Sequence, residues 1–320
     1  MAAVSASIDV VVPAFNHWEL TSSCLTHLAA QTVPHHVIVV DNGSTDQTRE
    51  ALRRGWPDVG VVALDRNHPF TRAVNLGVAA GAREHVVLLN NDVDLHPDCL
   101  ERLVAPLELH PNVGSVAAVM LAPGERSIDS VGVTTDVTLA GFPRLHGLSH
   151  EHAGETHPLL TGPEGTTAAY RRAAWEQVGG LDETIRAYME ILDMAWRLRQ
   201  AGWRTVCAPE AVGMHRGSAT FGRRSREQRR LAASSRGYLL RRYGVMRSRF
   251  ALRTLFTEAV VVVGDTLISR DLVALEGRLA GWRLARGMKR HPRPPAEAID
   301  TTISVRDSLA LRRGVYRPRT

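Results

Sequence analysis

Apolar residues along the chain fall in short blocks separated by stretches of helical spacing. "IDVVVPAFN" (8–16) is a β-branched run closed by Pro13 and Asn16, the pattern of a buried strand entering a loop. "HWELTSSCLTHLAAQT" follows with the spacing of a helix. The alternation then repeats: "HHVIVVDNGSTD" as strand and polar turn, "DQTREALRRG" as helix, "VGVVALDRN" as strand, "RAVNLGVAAGA" as helix, "EHVVLLNNDVDL" as strand and acidic turn. Residues 100–110 predict another helix and 113–121 another strand. This interval predicts an α/β fold: a mostly parallel sheet with helices on both faces. Ligands of such sheets bind beyond the carboxyl ends of the strands, where Asn16, Asp41 and the Asn90–Asp94 cluster all fall.

From Pro123 to His157 the pattern loosens into glycines, prolines and four histidines, His146, His150, His152 and His157. Of these only His146 and His150 have the i,i+4 spacing of a metal pair, so the stretch reads as a mobile substrate loop ahead of a metal site. "GTTAAYRRAAWEQVGGLDE" reads as strand, helix and a stop at Gly179–Gly180. The helix "AYMEILDMAWRLRQAGW" comes next, and "RTVCAPEAVGMHRGS" is a strand ending at a histidine. After about residue 225 the alternation ceases. Residues 225–243 and 250–290 predict helices, and Pro292–Pro295 begins an irregular tail. The expected division is an α/β domain over 1–222 and a basic, mainly helical region over 223–320.

Composition adds limits rather than identity. A chain of 320 residues with 44% apolar and 22% charged residues can bury a sizeable core. Cys24, Cys99 and Cys207 are far apart with no CxxC, which suits a reducing compartment and offers no zinc or disulfide framework. The opening residues lack the basic and apolar regions of a secretory leader, and no apolar run is long enough to span a bilayer. Ten arginines against Glu227 alone between Arg223 and Arg249 could seek phosphate, nucleic acid or anionic lipid, or form a solvated surface. A nucleic-acid partner is not expected, because only Tyr238 and Tyr243 supply stacking rings there.

No GxGxxG or GxxxxGKS follows the first strand and no GxSxG occurs, which argues against the usual dinucleotide enzymes, P-loop NTPases and acyl hydrolases. The rim offers carboxylates instead. "NNDVD" past an apolar strand can hold a hard divalent cation through oxygen. Asp92 and Asp94 could equally cap the next helix, and Asp41 could close an Asx turn.

Taken together, "VVVPAFN", "VVDNGSTDQT", "NHPFTRAVNLGVAAGAREHVVLLNNDVDL" and "GTTAAYRRAAWEQVGGLDE" resemble, in order, the motifs of family 2 glycosyltransferases. These are inverting, nucleotide-sugar-dependent enzymes of the GT-A fold, and the resemblance covers about residues 8–221. It implies that Asp41 binds the nucleotide base in a pocket shaped by Pro13 and Phe15. Asn90 takes the place of a ribose-binding Asp, and Asn67, Arg72 and Asn75 line the donor site, though Asn75 could instead buttress its helix. Asp92 takes the metal-binding position, with Asp94 as a second register and His215 as a further ligand for Mg2+ or Mn2+. The implied donor is a UDP- or dTDP-sugar and the implied acceptor a glycan or lipid-linked hydroxyl. The "LLNNDV" and "WRLRQAGW" segments are most similar to bacterial cell-wall and surface-polysaccharide enzymes, rhamnosyltransferases among them. For such a protein a cytoplasmic location is expected, with peripheral contact at the inner face of the plasma membrane through 223–249.

Members of the family carry a general base directly after the Glu that precedes this tryptophan–arginine helix. Here that position is Ile191, within Glu190-Ile191-Leu192-Asp193. Three readings stand open: Glu190 is the base, Asp193 is the base from one turn on, or the domain binds nucleotide sugar with weak or no catalysis. Asp193 has a competing use as an i,i+4 partner of Arg197.

Overall fold

The computed structural model describes residues 8–124, 126–217 and 225–316. The 222/223 boundary, Arg223, Arg224 and the first seven residues lie outside them.

Period-two alternation in the first strand, β1 (Ile8–Ala14), divides the molecule into two cores. Ile8, Val10, Val12 and Ala14 face one side and Val11 the other. Asp9 also turns to the Val11 side. It is buried and takes hydrogen bonds from Arg172 Nη2 (2.8 Å) and the Arg83 backbone N–H (2.8 Å), which satisfy a charge that would otherwise be costly there. The chain continues through α1 (Trp18–Ala29), β2 (His36–Asp41), α2 (Thr48–Gly55), β3 (Gly60–Ala63), α3 (Phe70–Ala80), β4 (His85–Leu89), β5 (Val93–Leu95), α4 (Cys99–Leu109) and β6 (Val113–Leu121). Helices α1 and α4 bury Cys24, Leu25, Leu28, Leu100, Leu103 and Leu107 against the first core. Helix α3 buries Ala73, Val74 and Val78 against the second.

Residues 126–160, expected as a loose loop, carry three short strands: β7 (Ile128–Ser130), β8 (Val133–Thr135) and β9 (Gly141–Pro143). Then follow β10 (Thr167–Arg171), α5 (Arg172–Val178), α6 (Glu190–Gln200) and β11 (Arg204–His215). The main sheet runs β3-β2-β1-β4-β10-β6-β11-β5, with β7 beside β6. Strands β3, β2, β1 and β4 are parallel, as are β6 and β11. β10 lies antiparallel between β4 and β6, and β5 antiparallel to β11, so the sheet is less uniformly parallel than its periodicity implied. A strand buried on both faces reads as the same apolar run in either direction, so β10 could not announce its polarity.

The C-terminal stretch folds as α7 (Arg226–Arg242), α8 (Ala251–Ser269), α9 (Val273–Leu284) and α10 (Val305–Leu311), the last within the segment expected to be irregular. It is built into the rest of the molecule. Tyr238, Leu239, Tyr243, Ala285 and Ile299 share a third core with Val137, Leu139, Leu192 and Trp196. Of the described arginines that suggested a free basic surface, half turn inward: Arg229 to Asp265 and Asp271, Arg236 to Glu258, Arg241 to the Trp282 carbonyl and Arg242 to His291. Arg226, Arg230, Arg247 and Arg249 stay exposed.

Candidate active site

Because β1, β2 and β4 are parallel, their carboxyl ends deliver Phe15, Asn42 and Asn90 to one rim. The antiparallel β10 brings the residues before it, Glu164 to Thr166, to the same edge. A cleft of about 430 Å³ opens there. Its walls include Pro13, Phe15, Asn42, Asn67, His68, Asn90, Asp92, Glu164, Tyr188, Glu190 and His215, together with Glu227, Gln228 and Leu231 from the first turns of α7.

Asn42 organises one end. Its amide nitrogen donates to Asn67 Oδ1 (3.0 Å) and the His68 carbonyl (2.9 Å), and its oxygen accepts from the His68 backbone N–H (2.9 Å). Asp41 is fully buried just behind it, accepting from Arg49 Nε (2.6 Å) and the Ser44 N–H (2.9 Å), and does not line the cleft. Held by these two partners, Asp41 shapes the turn that carries Asn42.

Asp92 and His215 meet on the opposite wall. Asp92 Oδ1 is buried without a hydrogen-bond partner, and Oδ2 lies 3.4 Å from His215 Nε2. His215 Nδ1 is 2.7 Å from Asp129 Oδ2. Burial alone would lower the His215 pKa. Hydrogen bonds and charge from Asp129 and Asp92 override it and raise the pKa to about 10, so the corner favours positive charge. An unpartnered carboxylate oxygen beside an imidazole whose far nitrogen is held by a carboxylate fits a divalent cation. Among the described residues no group of three His, Cys, Asp or Glu side chains is placed to hold a metal ion, so further ligands would come from phosphate oxygens and water. Asp94 is not part of this corner: it accepts from Ser23 Oγ (2.9 Å) and Arg216 Nε (2.7 Å), tying β5 to α1.

Glu190 opens α6 and faces the cleft. Its Oε2 is buried with no hydrogen-bond partner. Burial, with the Glu164 charge adding to it, pushes its pKa up to about 7. Tyr188 and Met189, immediately before it, both sit in the left-handed region (φ 63° and 66°). Such conformations are costly for non-glycine residues and gather at functional sites. Ile191 turns into the second core with Tyr170 and Met194, so the side chain after Glu190 serves packing. Asp193 is away from the cleft and fully buried, its oxygens taken by Arg197 Nε (2.7 Å) and Tyr243 Oη (2.8 Å).

Asn75 and Arg72 also lie off the lining. Asn75 accepts from the Leu181 N–H (3.0 Å) and donates to the Leu181 carbonyl (2.9 Å), fixing the loop after Gly179–Gly180. Arg72 sits 3.5 Å from Glu183. Sequence reasoning missed Asn42, Glu164, Asp129 and the α7 wall. Asn42 and Glu164 stand beside strand ends and could have been found there, whereas nothing local marks Asp129 or the first turns of α7.

A sheet with this strand order, gathering its polar residues at one rim, is the GT-A architecture of glycosyltransferases. Solved structures agree on the fold: a mannosyltransferase from Pyrobaculum calidifontis, PcManGT, in complex with GDP-Man and Mn2+ (TM-score 0.54, 21% identity, 89% of this chain and 76% of that one). GalNAc-T7 with UDP, GalNAc and Mn2+ is a second (TM-score 0.61, 12% identity, 88% and 56%). The chain belongs to glycosyl transferase family 2, whose family model matches residues 9–179. The O-antigen biosynthesis protein RfbC of Myxococcus xanthus is 32% identical over 224 residues, 67% of this chain but only 17% of that protein. An N-acetylglucosaminyl-diphospho-decaprenol L-rhamnosyltransferase of Mycobacterium tuberculosis is 27% identical over 212 residues, 59% of this chain and 69% of the relative.

Proposed function

We propose that the protein transfers a sugar, with inversion, from a UDP- or dTDP-sugar to a hydroxyl of a glycan or lipid-linked acceptor in cell-wall or surface-polysaccharide synthesis. The observation that carries this is Glu190: a buried carboxylate with a free oxygen and a pKa raised to about 7, in the same cleft as Asp92 and His215. The donor's nucleotide lies toward Pro13, Phe15, Asn42 and Asn67, and its diphosphate toward Asp92. A divalent cation, Mg2+ or Mn2+, would be held by Asp92 and His215 and would supply countercharge to the diphosphate. Glu190 accepts the proton of the acceptor hydroxyl. The oxygen bonds to the anomeric carbon as the bond to the diphosphate breaks, and the diphosphate leaves with the electron pair. The name of the mycobacterial relative supports a rhamnosyl donor and a polyprenyl-diphosphate acceptor.

Glu190→Gln is the test. The variant keeps the shape of the side chain and cannot take a proton, so transfer is expected to fall about 10²–10⁴-fold with donor binding unchanged. Equal rates in wild type and variant would remove Glu190 as base. Donor binding by a wild type with no turnover would favour the second reading, a nucleotide-sugar-binding module, for which the buried Ile191 is the motive.

A further inference from the structure

Helix α8 is built inside out. The side chains it buries are Thr254, Thr257 and Glu258. The threonine hydroxyls donate back to helix carbonyls, Thr254 to Phe250 (2.9 Å) and Thr257 to Arg253 (3.0 Å). Glu258 is clasped by Arg236, Arg278 and Arg312. The stripe turned to solvent is apolar: Leu252 (82% exposed), Phe256, Ala259, Val263 and Leu267 (74% exposed), at spacings of four, three, four and four. Leu272, Leu275 and Leu279 continue it onto α9. A water-facing helix normally shows the opposite arrangement, and an apolar patch of this extent marks a surface that meets something apolar.

The surroundings say what. Between residues 245 and 290 the exposed charges are Arg247, Arg249, Arg270, Arg283, Arg286, Lys289 and Arg290 against Glu276 alone. One helical turn beyond Leu279, Trp282 and Met246 join Arg241, Arg247 and Arg290 in lining a hollow of about 270 Å³. Among the described residues no helix is long and apolar enough to cross a membrane. A second copy of the chain docked about a two-fold axis would set this cationic rim against itself.

We infer that the α8–α9 face lies in the surface of an anionic lipid bilayer, with the leucine stripe among the acyl chains and the arginine-lined hollow on a headgroup phosphate. The docking elements are thus α8 and α9, with Arg241 and Arg247 the members of the 223–249 run that line the hollow beside them. The inference stands whether or not Glu190 is the base.

Sedimentation of the full chain with vesicles tests it. At low salt the protein is expected to pellet with phosphatidylcholine vesicles containing phosphatidylglycerol and to stay in solution with phosphatidylcholine alone. Two double variants, Leu252→Glu with Phe256→Glu and Arg286→Glu with Arg290→Glu, should each weaken vesicle binding about tenfold or more. Both change exposed side chains, so circular dichroism and melting temperature should match wild type. A wild type that leaves anionic vesicles unbound, or variants that pellet as well as it does, would overturn the inference. So would a lipid-free dimer that the Leu252/Phe256 variant dissociates, since the face would then join two copies.

Discussion

Glu190 sets a conflict between stability and chemistry within one side chain. Burial dominates its titration, and the groups whose charge couples to it are Glu164, Tyr170 and Tyr188. With the folded pKa near 7 and the ordinary value 4.5, the folded protein holds a proton that the unfolded chain has already lost between those pH values. Stability therefore falls as pH rises through that window and stays lower above it. Glu190→Gln should raise stability at pH 8 by about 1–3 kcal/mol and have little effect at pH 4, read from denaturant midpoints at the two pH values. Activity runs the other way: the base must be ionised, so the rate should climb with pH through about 7. Glu164→Gln removes a neighbouring negative charge and should move that acid limb to lower pH. An unmoved limb would mean that another group titrates.

At the scale of elements, β1 to β4, α1 to α4, β6, β10, α5 and α6 were legible because both-face burial and helical spacing leave marks on neighbouring residues. The three-residue strands β5, β7, β8 and β9 are too short to leave one. Register and direction leave none, which is why β10 was seen as a strand but not as an antiparallel one. The site was legible where a residue follows a strand in the chain, as Phe15, Asn90 and Asp92 do. It was not legible where folding brings distant pieces together: Asp129 reaches His215 across 86 positions, and α7 reaches the cleft from beyond residue 225. Asn75 shows the same limit, since a helix residue in a donor-site motif proves to hold the loop leading toward α6. Asn75→Ala strips three hydrogen bonds from that loop. Loss of about 1–3 kcal/mol in thermal or chemical unfolding is expected, with a larger fall in turnover than in donor affinity, because the loop leads to Glu190 rather than to the nucleotide pocket.

For the whole molecule, the third core makes the C-terminal helices part of the folding unit. A chain ending at residue 217 would uncover Val137, Leu139, Leu192 and Trp196 and lose the cleft wall of Glu227, Gln228 and Leu231. It is expected to show near-native far-ultraviolet circular dichroism, weak near-ultraviolet signal and no cooperative melt. A sharp melt close to that of the full chain would show that residues 8–217 fold alone. Within the C-terminal helices, α7 and α9 meet backbone to backbone. A Cβ on Gly237 would strike the Arg278 main chain, and one on Gly281 the Ser234 carbonyl. Helices in such contact cannot slide past or part from each other without breaking it. The cleft wall on α7 and the leucines on α9 thus belong to one rigid piece, so whatever orients the outer face also aims the mouth of the cleft. Acceptor choice then becomes partly a matter of reach: a hydroxyl of the right chemistry on too short a tether would stop short of Glu190.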